Sequence, residues 1–422
     1  MNPNVYTVLK DRGFLYQTTD DAALEALLAR QAVTCYIGFD ATADSLHIGS
    51  LVPIMALVHM QACGHRHIAL LGGGTTMVGD PSGKTEMRQL LTVQQIKDYG
   101  KRIKAQFARY LDFSNEHALL LNNADWLLPL NYIEFLRGVG VHFSVNRMLS
   151  VDSVKLRLES GLSFIEFNYM LLQAYDFYVL ARDHDCLVQM GGQDQWGNIV
   201  AGSDLTRRKL NKQVYGMTFP LITTASGEKF GKSAGNAIWL DAAKTPVVDF
   251  YQYFRNADDR DVERYLGLFT LLPMDEVRRL PGENVNRAKE ILAYEVTRLS
   301  HGSGEAARAY KAMTAQFGSA DPKGAVRTSS GINGVQAGAA DLPTVNLPPS
   351  VIADKVWVVK LFVDAGFCAT NGEARRLIQG GGAYVNDKPV SDPNLRFTAA
   401  DLVNGALVLS AGKKRHKRVV FG

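Results

Sequence analysis

Two lysines three residues apart, Lys229 and Lys232, sit among glycines in the stretch GEKFGKSAGNAIWL (residues 227–240). A loop of that composition can bring two cations onto one anion, phosphate above all, and close over it. Read alone, it is more often an ordinary solvated loop. A second cationic pair, Lys84 and Arg88, follows a glycine-rich run in GGGTTMVGDPSGKTEMR (residues 72–88). A phosphate-cradling P-loop would need glycine at position 78, where Val78 stands, so the stretch reads as a strand end with a basic tail. A third candidate is His47 in GFDATADSLHIGS (residues 38–50). Asp44 or Ser45 can cap the helix that follows, leaving its free N–H groups to attract an anion, while Gly49 allows something flat to approach.

A different chemistry is written in SFIEFNYMLLQAYDFYVL (residues 163–180), apolar nearly all round and hence expected as a buried helix. Tyr169, Gln173 and Asp176 recur on it at i, i+4 and i+7, one face. A buried carboxylate needs a partner. The face is therefore either a satisfied core network or the wall of a pocket for a small polar ligand. No Ser-His-Asp arrangement and no metal-ligand spacing accompanies it. The four cysteines, Cys35, Cys63, Cys186 and Cys368, lie far apart with no CxxC pair, which argues for reduced thiols and a cytoplasmic location.

The elements that must hold these residues follow from pattern. Strand-like runs such as VTCYIGF, HIALLGG and CLVQMGG alternate with helical patterns through about residue 220, and their continuous apolarity suits a parallel sheet covered on both faces. The reading is a Rossmann-like, doubly wound α/β domain over 1–220, with ligands at the carboxyl ends of its strands. Side chains alternate along VTCYIGF, so Cys35, Ile37 and Phe39 face one way and Tyr36, Gly38 and Asp40 the other. Residues 221–318 hold the lysine loop and then helical periodicity, 319–350 have linker composition, and 351–422 form a small basic α+β domain. That last region is the charged one. Residues 355–422 carry eleven basic and five acidic side chains, a net of +6, which leaves −2 for the rest of a chain whose total is +4. Such asymmetry points to a polyanion partner, with KKRHKR (residues 413–418) its densest part. No apolar run approaches the roughly 20 residues of a membrane span. The start, MNPNVYTVLKDRG, lacks the pattern of a signal peptide.

Taken together the motifs resemble one family. LHIGS is similar to the HIGH signature and KFGKS to the KMSKS signature of class I aminoacyl-tRNA synthetases. The fuller set, YIGFDATADSLHIG, GDPSGK, NYMLLQAYDF, GGQDQWGNI and KFGKS, resembles the bacterial tyrosyl-tRNA synthetases, and NGEARRLIQGGGAYVNDKPV resembles an S4 RNA-binding domain. The resemblance implies a ligase that makes tyrosyl-adenylate from L-tyrosine and ATP with Mg2+, then charges tRNA(Tyr). It further implies a homodimer without a protein-bound metal or organic cofactor. By resemblance, Tyr36 and Asp176 would contact the substrate hydroxyl, Asp80, Tyr169 and Gln173 the α-ammonium, and Gln195 the carboxylate end. Gly38, Asp40, Thr42, His47, Gly49, Gly192 and Asp194 would line the nucleotide. Lys229 and Lys232, with Lys84 and Arg88, would meet the phosphates. The S4-like part would touch tRNA through Arg375, Arg376, Lys413, Lys414 and Arg415. Three positions depart from the family pattern: Ser50 replaces the second histidine of HIGH, Ala41 a frequent proline, and Ile37 a frequent small residue. Two other readings fit fewer residues. A tryptophanyl-tRNA synthetase would lack the S4-like resemblance, and a non-catalytic RNA-binding protein would have no need of His47, Asp80, Lys229 and Lys232.

Overall fold

The computed structural model describes residues 3–82, 91–114, 117–225, 227, 230–233, 236–335, 344–353, 355–386, 388–403, 405–412 and 415–422. The chain forms two compact units, Met1–Thr245 with Glu263–Met274, and Pro246–Val262 with Asp275–Gly422.

In the first unit the apolar runs become strands β1 (Gln17–Thr18), β2 (Thr34–Phe39), β3 (Arg66–Leu71), β4 (Ala118–Asn122), β5 (Cys186–Gly192) and β6 (Tyr215–Phe219). Their order across the sheet is β1-β6-β5-β2-β3-β4. Only β1 runs antiparallel, against β6; the other neighbours are parallel. The chain winds outward from β2 through β3 to β4, then returns to the other flank with β5. The winding reverses between β2 and β5, so the crevice at their carboxyl ends is where such a sheet binds ligands. Burial explains the pattern: Tyr36, Ile68 and Leu70 pack against Phe177, Leu180 and Ala181 of the helix Tyr169–Asp183. The rings of Tyr36 and Phe177 lie 5.4 Å apart.

Three expectations need correction. The single buried helix over 163–180 is two, Phe164–Phe167 and Tyr169–Asp183, and Phe164 is 72% exposed. Ser163 and Glu166 close a capping box on the first, and a buried Arg157 holds Glu166 at 3.1 Å, which fixes a separate turn. Second, the lysine-loop region belongs with the sheet. Strands β7 (Lys232–Ser233) and β8 (Asn236–Ala237) form a hairpin, and Phe230 stacks on Phe269 at 5.2 Å within the first unit.

Third, most of the stretch read as linker is built into the second unit. Its helices are Val247–Arg255, Met274–His301 and Ser303–Phe317; the long one breaks at Asn284, whose side chain accepts from the Arg287 N–H (3.0 Å). Buried Glu290 accepts from the Ala320 N–H (2.9 Å), and buried Arg287 donates to Tyr310 and to Asn333 (both 2.9 Å). Glu276 and Glu295 bind Thr328 and Ser330. Carboxylates on the helix thus strap residues 320–333, which composition alone could not reveal. The C-terminal strands are β9 (Thr344–Leu347), β10 (Val356–Trp357), β11 (Ala383–Val385), β12 (Lys388–Pro389), β13 (Arg396–Phe397), β14 (Ala406–Ala411) and β15 (Arg415–Phe421). Five make a sheet of order β12-β11-β14-β15-β9, so β9 belongs to the C-terminal fold and not to a linker.

Candidate active site

Strand ends and one helix face converge on the crevice. Asp176, 2% exposed, accepts from the indole N–H of Trp126 (2.7 Å) and from the Asn123 amide (2.9 Å). Burial pushes its carboxyl up to about 7, partly offset by those two donors. Each carboxylate oxygen can accept twice, so capacity remains for a further donor. Beside it stands Tyr36, 1% exposed, whose hydroxyl finds no hydrogen-bond partner among the described residues. Burial first, and then the charge of Asp176, hold that phenol well above its ordinary range. A buried hydroxyl without a partner costs stability unless a ligand supplies one. Here the ligand's group must itself be polar.

The same helix carries Tyr169, whose hydroxyl donates to Asp40 (3.1 Å), and Gln173, which accepts from Asn198 (3.0 Å). Asn198 also donates to Gln195 (3.2 Å), and Gln195 donates to Asp80 (2.7 Å). Asp80 is raised to about 6 by burial and then by the nearby Asp40, against the pull of the Ser82 N–H and Gln195. Asp80 and Asp40 therefore form an acidic patch suited to a cation, above all a small ammonium group. Asp40 is held by the Thr75 hydroxyl (2.8 Å), and Thr75 by Asn123 (3.0 Å), so one network joins the two carboxylate sites.

On the opposite lip, Gly38, Thr42 and His47 are exposed, whereas Ile37 and Ala41 are buried. The expected cap from Asp44 or Ser45 does not form. His47 itself caps the short turn Ile48–Ser50, its Nδ1 accepting from the Gly49 N–H (2.9 Å). With Nδ1 so used, Nε2 is the ring's donor. A side chain on Gly49 would begin 2.6 Å from the His47 ring and would displace the ring that caps the turn, whereas one on Gly192 would begin 2.5 Å from the exposed Asp194 carboxylate, which can turn aside. Across the crevice Gly192 ends β5, and exposed Asp194 follows it.

The fold thus gathers Tyr36, Gly38, Asp40, Thr42, His47, Gly49, Asp80, Tyr169, Gln173, Asp176, Gly192, Asp194 and Gln195 into its first unit. Lys84, Arg88 and Lys229 lie outside the described residues, and of Lys232 only the backbone, in β7, is described. In the second unit, Arg375 and Arg376 are exposed on the helix Asn371–Gln379, with the Arg375 guanidinium 5.1 Å from the Trp357 ring. Lys413 and Lys414 are outside the description, and Arg415 is described by its backbone in β15. Sequence reasoning missed Thr75, Asn123, Trp126 and Asn198, which touch the named residues and orient them. A signal existed for Asn123 and Trp126: they follow the apolar run of β4 at its carboxyl end, the rule that singled out Asp40 and Gly192.

Known proteins match the chain along most of its length. The family described as tRNA synthetases class I (W and Y) matches residues 28–318, and that described as Tyrosine--tRNA ligase SYY-like C-terminal domain matches residues 334–419. A tyrosine–tRNA ligase of Desulfosudis oleivorans is 52% identical over 99% of both chains. One of Clostridium tetani is 47% identical over the whole of both. Among solved structures, a C-terminally truncated mitochondrial tyrosyl-tRNA synthetase of Aspergillus nidulans superposes with a TM-score of 0.66 at 31% identity, covering 73% of this chain and 92% of its own. A tryptophanyl-tRNA synthetase of Encephalitozoon cuniculi shares the fold alone, with a TM-score of 0.55 at 14% identity over 72% of this chain and 88% of its own.

Proposed function

The chain belongs to the tyrosine–tRNA ligase family of class I synthetases, and we propose how its own residues divide the work. Its reaction joins L-tyrosine to tRNA with ATP as the activating substrate. In the first step the amino-acid carboxylate attacks the α-phosphorus of ATP. The bond from that phosphorus to the bridging oxygen breaks, and pyrophosphate leaves with the electron pair. The nucleophile is already ionised, so positioning and cationic stabilisation of the leaving group matter more than a general base. In the second step a ribose hydroxyl at the 3′ end of tRNA attacks the adenylate carbonyl and AMP departs.

The observation that carries the substrate assignment is the unpartnered, buried hydroxyl of Tyr36 beside Asp176. A phenol bound there would receive a hydrogen bond from Tyr36 and donate one to Asp176. An indole offers no acceptor to Tyr36. Asp80 and Asp40, with Tyr169 and Gln173, would hold the α-ammonium, and Gln195 the carboxylate end. The nucleotide would lie over Gly38, Thr42, Gly49, Gly192 and Asp194, with His47 at the phosphates. Lys229, Lys232, Lys84 and Arg88 would meet the pyrophosphate, and magnesium would enter as the counter-ion of ATP.

RNA contact falls to Arg375, Arg376, Lys413, Lys414 and Arg415, supported by the net +6 of residues 355–422. A homodimer is supported by the large apolar side chains left exposed along residues 128–165, among them Ile133 at 61%, Val141 at 71% and Phe164 at 72%. A cytoplasmic location fits four cysteines spread far apart in the sequence with no CxxC pair. No helix among the described residues is long and apolar enough to cross a membrane. Pyrophosphate exchange across the twenty amino acids tests the assignment: tyrosine alone should support it, and faster exchange with tryptophan would overturn it. Ending the chain after Val335 tests the RNA reading, since exchange should persist while charging at limiting tRNA collapses; undiminished charging would refute it.

A further inference from the structure

The segment that carries His47 and the segment that follows the lysine hairpin are joined by an isolated antiparallel bridge. The Ile48 N–H donates to the Ile238 carbonyl and the Leu240 N–H to the Leu46 carbonyl, each at 2.9 Å, and His47 pairs with Trp239. The Ile238 N–H in turn reaches back to the Gly231 carbonyl (2.9 Å), so this junction is the base of the hairpin. Side chains lock it. Lys244 is ion-paired with Asp44 and stands 4.5 Å over the Trp239 ring, whose centroid is 6.4 Å from that of His47. The Trp239 N–H donates to the Thr245 hydroxyl (2.9 Å), which ties the turn carrying Lys244 to the strand.

The helix Val93–Phe107 braces both segments. Arg102 pairs with Asp44 (3.0 Å), Gln106 accepts from the Leu46 N–H (2.9 Å) and donates to Ser45 (3.0 Å), and Arg109, just past the helix, reaches the Leu240 carbonyl (3.5 Å). Asp44 is only 23% exposed and Lys244 32%, so the pair is better shielded from solvent than an ordinary surface ion pair. Its carboxylate is shared by two cations from two different elements. Trp239 faces His47, and Lys244, Asp44 and Arg102 follow it in a chain of contacts that ties the hairpin base to the histidine's segment and to the bracing helix.

We propose that Asp44, Arg102, Lys244 and Trp239 form a latch that fixes the base of the lysine hairpin against His47, making Asp44 and Lys244 positioning residues for adenylate formation. The inference rests on the reading that His47 and the lysine loop face the phosphates. The latch transmits geometry: it sets the distance between a donor on one segment and cations on the other, and a small misplacement of such groups slows chemistry without weakening the binding of the amino acid.

The test is pyrophosphate exchange and tyrosine affinity in Lys244→Met, Trp239→Leu, Lys244→Arg and His47→Asn. Lys244→Met and Trp239→Leu should lower kcat about tenfold with the KM for tyrosine unchanged, and Lys244→Arg should recover most of the rate. Lys244→Met combined with His47→Asn should be little slower than His47→Asn alone, because both act through one geometry. Full activity in Lys244→Met beside a slow His47→Asn overturns the latch and leaves the phosphate reading standing. Full activity in His47→Asn removes the phosphate reading itself. A parallel loss of tyrosine binding and rate in Lys244→Met, not recovered by arginine, would mean a general role in folding and also overturns the latch.

Discussion

The two sides of the crevice are built on opposite terms. The side proposed for tyrosine is ordered without substrate: Asp176, Asp80, Tyr169, Gln173 and Gln195 already hold one another through Asn123, Trp126, Thr75 and Asn198, mostly buried. The side proposed for the phosphates shows exposed Thr42 and His47, glycine backbone, and a hairpin attached at its base. Recognition of a small neutral difference, one hydroxyl, needs partners fixed in a low-dielectric site, where an unmatched group is costly. Stabilising a departing pyrophosphate needs cations that interact most strongly in the transition state. The difference implies that mutations on one side should strike tyrosine binding and on the other the rate.

The largest expected effect is on the buried side. Asp176→Ala removes the acceptor and leaves Asn123 and Trp126 without their partner, a loss of about 3 to 4 kcal/mol, or several hundredfold in kcat/KM for tyrosine. Asp176→Asn keeps the shape and should still lose most of the activity, which separates chemistry from collapse of the fold. A near-normal Asp176→Asn enzyme would break the comparison at its strongest point.

Next come Lys232→Ala and Lys229→Ala. Each should slow adenylate formation by about a hundredfold while leaving the tyrosine dissociation constant nearly unchanged, as expected for groups that act on developing charge. Equal losses in affinity and rate would show that the two sides are not separate.

How much of this was legible in the sequence follows the same division. Periodicity gave the helix face with Tyr169, Gln173 and Asp176, and apolar runs gave β2, β3 and β5, because both reflect local burial. The orienting residues were not legible: Asn123 and Trp126 lie some fifty positions from Asp176, and only the parallel sheet brings β4 beside β3. The strap over residues 320–333 hid for the same reason, since its partners Glu276, Glu290 and Glu295 look like solvated helix charges until the chain folds back. The cap was misjudged because Asp44, the best capping residue by type, is taken by Arg102 and Lys244, leaving His47 to do it.

A smaller effect follows from titration on the tyrosine side. In the proposed roles, Asp176 at about 7 accepts from the phenol and Asp80 at about 6 holds the ammonium, so both would have to be ionised. Both values are raised, so protons are gained as pH falls: kcat/KM for tyrosine should drop about tenfold per unit below 7, and more steeply below 6. The rate at saturating tyrosine should change less, because bound substrate favours the ionised forms. A profile flat from pH 8 to 6 would deny these carboxylates their roles.

The smallest effect sharpens the comparison most. Tyr36→Phe removes a hydroxyl that has no partner among the described residues, so the variant relieves a buried, unsatisfied group and should be as stable as the wild type or slightly more so. What it loses appears only with substrate: one neutral hydrogen bond to the phenol, about 1 kcal/mol, or roughly fivefold in discrimination between tyrosine and phenylalanine. Asp176 still supplies the stronger contact, so tyrosine remains preferred. Stability and specificity thus move in different directions at one residue, a signature that packing alone cannot produce. The checks are thermal unfolding of the free protein and the ratio of kcat/KM for tyrosine and phenylalanine in exchange. A less stable variant with an unchanged ratio would mean that the hydroxyl of Tyr36 serves the core, and that the phenol of the substrate is bound elsewhere.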